Sequence, residues 1–452
     1  MSVSKPHVLI LGGGYVGLYT AWGLRKRSRS VPMRITLVEP NAYMTYQPLL
    51  PEVAGGEIDP RNVTVQLSRA LRGVHVVRGR LQNLDSAGKS ATIAEADGAT
   101  STLEYDHVVF AVGSITRTFP TPGLEENAIG FKTVEEALFL RDRVLENIAR
   151  AAATQDPAER AKALTFVFIG GGYTGVEAIA ELSDLAKIAI RMYPRLDASD
   201  LNWVLVEAAD KVAVEVGPEL SAWTLRHLRR RGIDVRLQTT LKSCIDGNVV
   251  LSDGAEFAAD AIVWTAGMKP NPVLDATDVP RGPKGHVNAD ARLRVIREDG
   301  SIVEGAWAAG DNAQVPDLTA QKQPAYYPPN AQNAVRQAKL LAANIAAQLN
   351  GQEPVEYRYK SLGTLANYGI GQGAAVVRGI PLKGLPAWLV ARAYHGAAMP
   401  TLARKYRVFA GWAVNLFAPR DVTSMSAARE PRRTFVAGIH AQKKAEEPEK
   451  GK

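Results

Sequence analysis

The chain has 452 residues, of which 46% are hydrophobic and 22% charged, a globular balance long enough for two or three domains, each with its own core. Its formal charge of +8 admits nucleic acid, an anionic membrane or anionic cofactors as partners, so the position of that charge must decide between them. The single cysteine, Cys244, excludes a disulfide framework, a cysteine-ligated iron–sulfur cluster and a CxxC redox pair; it is expected to be a small core or surface thiol, and no metal site is predicted.

The first strand-like run begins at His7, which leaves no room for a signal peptide. Residues 8–24, VLILGGGYVGLYTAWGL, run from apolar residues through glycines into a helix-like stretch. This is the strand–turn–helix opening of a βαβ unit. Gly12, Gly14 and Gly17 form GxGxxG, which permits a tight turn, close approach to a pyrophosphate and close helix–strand packing. Glu39 ends the next strand, RITLVE (34–39), 22 residues after Gly17, where a carboxylate accepts the hydroxyls of an adenosine ribose.

Residues 167–182, VFIGGGYTGVEAIAEL, repeat the pattern with Gly170, Gly172 and Gly175. Glu207 ends the following strand, WVLVE (203–207); an insertion around Arg191–Asp200 explains the longer gap. Glu207 would repel a 2′-phosphate, so the second site favours NADH over NADPH. Glu177 has two readings: a first-turn acid stabilised by the helix dipole, or a catalytic residue where nicotinamide meets flavin. Tyr19 holds the equivalent place in the first copy, so the turn itself does not require an acid. Further strands are expected at 107–113 and 260–267, and helices at 134–152, 219–231 and 331–349.

From Lys383 to Arg420 there are six Lys or Arg residues and no Asp or Glu, interleaved with Trp388, Tyr394, Tyr406, Phe409, Trp412 and Phe417. Phe409, Trp412 and Leu416 fall at i, i+3 and i+7, one helical face. Aromatics and cations without acids fit an in-plane interfacial helix that docks on an anionic membrane. The competing reading is an amphipathic helix packed on the core or on a dimer interface. No apolar run reaches the roughly 20 residues of a spanning helix, so the expected location is peripheral, on the cytoplasmic face of the cell membrane. Nucleic acid is not an expected partner, because the cations share their segment with large apolar side chains.

The segments VVFAVGS (108–114), IVWTAG (262–267) and WAAGDNA (307–313) resemble those of the two-dinucleotide-binding-domain flavoproteins. The resemblance implies a non-covalent FAD site completed by Gly113, Gly310 and Asp311. One cysteine cannot supply the paired cysteines of the disulfide reductases and sulfide:quinone oxidoreductases in that superfamily. TYQPLLPEVAGG (45–56), YYPPNAQNAVRQAKLLAANI (326–345) and YKSLGTLANYG (359–369) are similar to type II NADH:quinone oxidoreductases, as is the C-terminal stretch 387–421.

That resemblance implies electron transfer from NADH through FAD to a membrane quinone without proton pumping, in a homodimer. It places Gln332 beside flavin and quinone, as the first glutamine of an AQxxxQ pattern; Arg336 stands at the second, either to hold a quinone oxygen or to cap a helix against a carboxylate. The expected fold is α/β, with two Rossmann-like dinucleotide-binding domains plus a C-terminal amphipathic helical membrane-binding segment. Its expected parts are an FAD domain (1–130 and 271–350), an NADH domain (131–270), a membrane-binding region (351–440) and a disordered tail (441–452). Two other functions compete: a soluble reductase of a small iron–sulfur carrier, and a non-catalytic NADH-sensing flavoprotein.

Overall fold

The computed structural model describes residues 5–446. The chain opens with strand β1 (His7–Leu11), helix α1 (Tyr15–Arg27) and strand β2 (Arg34–Val38). Every residue of β1 is buried, as expected of a strand covered on both faces in a parallel sheet. A short helix α2 (Leu50–Ala54) follows, then β3 (His75–Val77) and β4 (His107–Phe110).

The chain then crosses to a second sheet at β5 (Ala128–Ile129), ahead of the expected boundary at 131. Helix α3 (Val134–Ala153) starts on a capping box, Thr133 and Glu136 each bonding the other's backbone N–H. The second sheet continues with β6 (Thr165–Ile169), α4 (Tyr173–Ala189), β7 (Asn202–Val206), β8 (Ile233–Arg236) and β9 (Ala261–Trp264). Its order is β5-β9-β6-β7-β8, parallel throughout. The insertion between α4 and β7 folds as two 3₁₀ turns.

The chain returns to the first sheet with β10 (Arg294–Ile296) and β11 (Ile302–Ala308), completing the order β10-β11-β4-β1-β2-β3. Helix α5 (Ala331–Leu349) packs across α1 so tightly that a Cβ on Gly23 would lie 2.5 Å from the Ala342 Cβ. Cys244 is buried, a small core thiol.

The C-terminal region is not purely helical. It begins with an antiparallel sheet of β12 (Gly363–Asn367), β13 (Gly373–Val377) and β14 (Ile380–Lys383). Glycines and β-branched residues at 363–377 favour this sheet over helix. Helices α6 (Leu385–Ala398) and α7 (Leu402–Val414) follow. Met399, Val408 and Trp412 join the core of the second module. The tail expected from 441 begins instead as the end of helix α8 (Arg433–Glu446), where alanine, lysine and glutamate are strong helix formers; 447–452 lie outside the described residues. Among the described residues no helix is long and apolar enough to cross a membrane.

Candidate functional site

The two glycine turns fold alike. Gly12 and Gly170 hold φ of +105° and +112°, open to glycine at little cost. A Cβ on Gly17 or Gly175 would lie 1.8 or 2.0 Å from the carbonyl oxygen of Gly12 or Gly170. Gly14 and Gly172 are the N-caps of α1 and α4, and neither helix has a side-chain cap or a first-turn acid. Their free N–H groups and positive dipole ends therefore suit a phosphate. A Cβ on Gly14 would meet nothing within 4 Å.

Each turn is closed by its acid. Gly13 N donates to Glu39 Oε2 at 2.7 Å, and Gly171 N donates to Glu207 Oε2 at 2.5 Å. The other oxygens accept from Asn41 N (3.0 Å) and Ala209 N (2.7 Å). A carboxylate oxygen accepts more than one hydrogen bond, so both acids retain capacity for ribose hydroxyls. Burial pushes the Glu39 carboxyl up, against the pull of its two backbone donors.

A cleft of about 770 Å³ runs along the first turn, lined by Gly12, Gly14, Glu39, Gly113 and Asp311 among others. Gly113 N donates to Asn312 Oδ1 at 3.0 Å, which fixes the end of β4 against the Gly310–Asn312 turn. Gly310 (φ +75°) donates its N–H to Gln337 Oε1 at 2.8 Å. Asp311 Oδ2 accepts from Ser114 Oγ at 2.9 Å, and Lys132 Nζ donates to Ser114 Oγ at 2.9 Å. Burial lowers the Lys132 ammonium, while Asp311 and Glu136 raise it.

Sequence reading missed this support. Ser114 and Asn312 stand beside Gly113 and Asp311 in the quoted segments, so adjacency was the available signal. Gln337 likewise follows Arg336 in the quoted 326–345 segment, whereas Lys132 arrives by tertiary folding and gave none.

The second module's Gly170, Gly172, Gly175 and Glu207 lie outside the lining of this cleft, as do Glu177 and Gln332. Glu177 is not a first-turn acid: α4 starts at Tyr173, which puts Glu177 in the second turn. Its Oε1 accepts from Asn367 N at 2.8 Å. Burial, with Glu181, Glu52 and Glu215 nearby, pushes its carboxyl up to about 8. Gln332 donates to Gly363 O at 3.2 Å and accepts from Tyr359 Oη at 3.1 Å. Glu177 and Gln332 thus hold opposite ends of the same strand, β12. The Arg336 guanidinium lies 4.0 Å over the Tyr359 ring and donates to Gln332 O at 3.1 Å, and among the described residues no carboxylate pairs with it.

The basic C-terminal segment turns two of its six cations inward. Arg392 and Arg420 are buried and both pair with Glu57; Arg420 also meets Glu181 at 2.9 Å, and Arg392 meets Glu52 at 3.6 Å. Trp412 is buried too, its Nε1 donating to Glu52 Oε2 at 2.5 Å. Trp388 lies beneath the Arg392 guanidinium, 4.0 Å away. Trp412 is not free to insert into lipid, because it serves the buried ion network, whereas Trp388 is half-buried beneath Arg392. The exposed apolar side chains include Leu385, Leu389, Leu402, Tyr406, Phe409, Leu416 and Phe417.

Paired nucleotide-type turns on one wholly parallel sheet and one that is parallel but for its β10 edge define a two-module oxidoreductase class. The profile of the pyridine nucleotide-disulphide oxidoreductase family matches residues 6–338. The type II NADH:quinone oxidoreductase of Haemophilus influenzae is 30% identical over 387 residues, 80% of this chain and 84% of that protein. The type II NADH:quinone oxidoreductase Ndh of Mycobacterium tuberculosis is 28% identical over 456 residues, 97% of this chain and 95% of that protein. The structure of NDH2 from Plasmodium falciparum in complex with NADH superposes with a TM-score of 0.83 at 18% identity, covering 93% of this chain and 100% of that one. The chain belongs to the pyridine nucleotide-disulphide oxidoreductase family, and within it to the type II NADH:quinone oxidoreductases.

Proposed function

We propose that this protein oxidises NADH through a non-covalent FAD and delivers the electron pair to a membrane quinone, without moving ions. The observation that carries the reading is the pairing of two like turns with unlike surroundings. The first opens on a long cleft; the second shares its helix with an acid held near neutrality. FAD, when bound, supplies the two-electron carrier between nicotinamide and quinone.

The residues of the first module fit that group. Gly12, Gly14 and Gly17 shape a turn whose free amides take a pyrophosphate, and Glu39 takes the adenosine ribose. Gly113 and Asp311 line the same cleft, with Asp311 oriented by Ser114 and the positive-φ Gly310 turning the chain just before it. Gly170, Gly172, Gly175 and Glu207 hold NADH in the same manner, Glu207 disfavouring a 2′-phosphate. Glu177 keeps a proton at neutral pH, and its Oε1 is already engaged by Asn367, so the proton sits on Oε2. Gln332 and Arg336 shape the other end of β12, where we place the quinone side of the reaction.

The exposed apolar residues of 402–417 dock the protein on an anionic membrane, its peripheral location being the cytoplasmic face. We retain a homodimer, two domains split at 1–130 with 271–350 and at 131–270, and a membrane-binding region over 351–440 as elements of this reading.

Anaerobic NADH titration of purified protein tests it. Flavin released on denaturation should be FAD, its absorbance should bleach with one equivalent of NADH, and a short-chain quinone should restore it. Protein that folds without flavin overturns the reading. Flavin that bleaches and stays reduced with quinone present supports an NADH sensor instead.

A further inference from the structure

Of the six cations between Lys383 and Arg420, three have acidic partners: Lys383 pairs with Glu219 at 2.6 Å, and Arg392 and Arg420 are in the buried network. Among the described residues Arg404, Lys405 and Arg407 have none. Arg404 and Arg407 stand at i and i+3 on α7 and so share a face.

They line a surface cleft of about 500 Å³ together with Arg61, Asn62, Thr64 and Gln66. Asp59 also borders it, but both of its carboxylate oxygens are engaged by Arg61, including an ion pair at 2.9 Å, while Oδ1 caps the turn from Pro60 to Val63. Three guanidinium groups thus meet one carboxylate that is already occupied. Burial and the neighbouring Arg407, Arg69 and Arg61 all push the Arg404 guanidinium down, against Asp59 alone among the charges that raise it. Such crowding lacks an internal counter-ion. Forked guanidinium donors match phosphate oxygens two at a time.

We propose that this cleft is a phosphate site that takes the headgroup of an anionic phospholipid. The choice of a lipid source rests on the membrane reading above: Leu402, Tyr406 and Phe409 are exposed on another face of the same helix, the face that would bring it to the bilayer surface. The apolar residues then supply insertion, and the cleft supplies a single oriented lipid contact. Lys405, on the same helix, does not line the cleft and supplies only diffuse attraction.

Full-length holoenzyme is tested with three probes: inorganic phosphate, a soluble short-chain phosphatidylglycerol, and vesicles of phosphatidylcholine with or without phosphatidylglycerol. Titration calorimetry should show one saturable site for the short-chain lipid, with inorganic phosphate at least about tenfold weaker, because it lacks the apolar contact. Arg404→Gln with Arg407→Gln should abolish that site and weaken flotation on anionic vesicles roughly thirtyfold, at about 1 kcal/mol per cation. Lys405→Gln should keep the site. All variants should retain FAD and NADH oxidation with a water-soluble quinone.

Equal loss in Lys405→Gln would show diffuse charge and overturn the proposal. Phosphate binding as tightly as the lipid would overturn the lipid source and leave a free-phosphate site. Wild type that floats on anionic vesicles but shows no saturable lipid site would overturn the cleft and spare the membrane reading. Wild type that fails to float on any vesicle would overturn the membrane reading itself, and this proposal with it.

Discussion

The two glycine turns share geometry to within a few tenths of an ångström where their acids meet them, 2.7 Å in the first and 2.5 Å in the second. They diverge at the second residue after the third glycine. Tyr19 packs edge-on against Trp22, 5.3 Å between ring centroids, and lies half-buried against the first module's core. Glu177 instead bonds β12 and joins a group of buried acids. On the proposed function the turn serves a dinucleotide in both modules, while the helix behind it carries packing in one and an acid bonded to β12 in the other.

The largest expected effect breaks the likeness of the turns. Gly17→Ala forces a Cβ against the Gly12 carbonyl, at a cost above about 3 kcal/mol, so FAD affinity should fall at least about a hundredfold. Gly175→Ala makes the same clash in the second module. It should leave the protein yellow and raise the KM for NADH. Absorbance of the purified variants checks both, and loss of flavin from both would mean the modules do not divide their ligands.

A second expected effect concerns the ions beneath the divergent helix. Glu57→Ala leaves Arg392 and Arg420 without their shared partner and should cost about 3–5 kcal/mol, seen as a lowered Tm. A change of less than about 1 kcal/mol would show that the network is dispensable. Glu207→Gln should narrow the preference of kcat/KM for NADH over NADPH by about tenfold, since one repulsive charge is removed from the 2′ position. Equal use of the two nucleotides by wild type would show that Glu207 has another role.

A further effect is a slope. Glu177 is raised from 4.5 to about 8, so its contribution to stability is fully present below pH 4.5 and is lost as pH rises through 8. Glu177→Gln should lack that component of the pH dependence, so its Tm should gain on wild type as pH increases across this window. Parallel Tm profiles would place Glu177 in a solvated setting.

Much of this was legible in the sequence because local rules set it. Apolar runs gave the central strands, and the helix expected at 331–349 is found over those residues. Glycine spacing placed both turns because sterics leave no other residue at Gly17 or Gly175. The C-terminal segment was harder. Its acids lie far upstream at Glu52, Glu57 and Glu181, so a run without acids could not be divided between a membrane face and a core face, and the burial of Arg392, Arg420 and Trp412 was not legible. Charge pattern along a chain cannot show pairing across hundreds of residues. The β12–β14 sheet escaped notice because its strands are short and glycine-rich.

The central claim is that electrons from NADH cross this protein to quinone. Turnover of the flavin-loaded protein with a short-chain quinone measures it directly, following NADH and quinol together under anaerobic conditions. The account predicts one quinol formed for each NADH oxidised, sustained over many turnovers. A single stoichiometric bleaching of flavin, with no quinol formed, would contradict it.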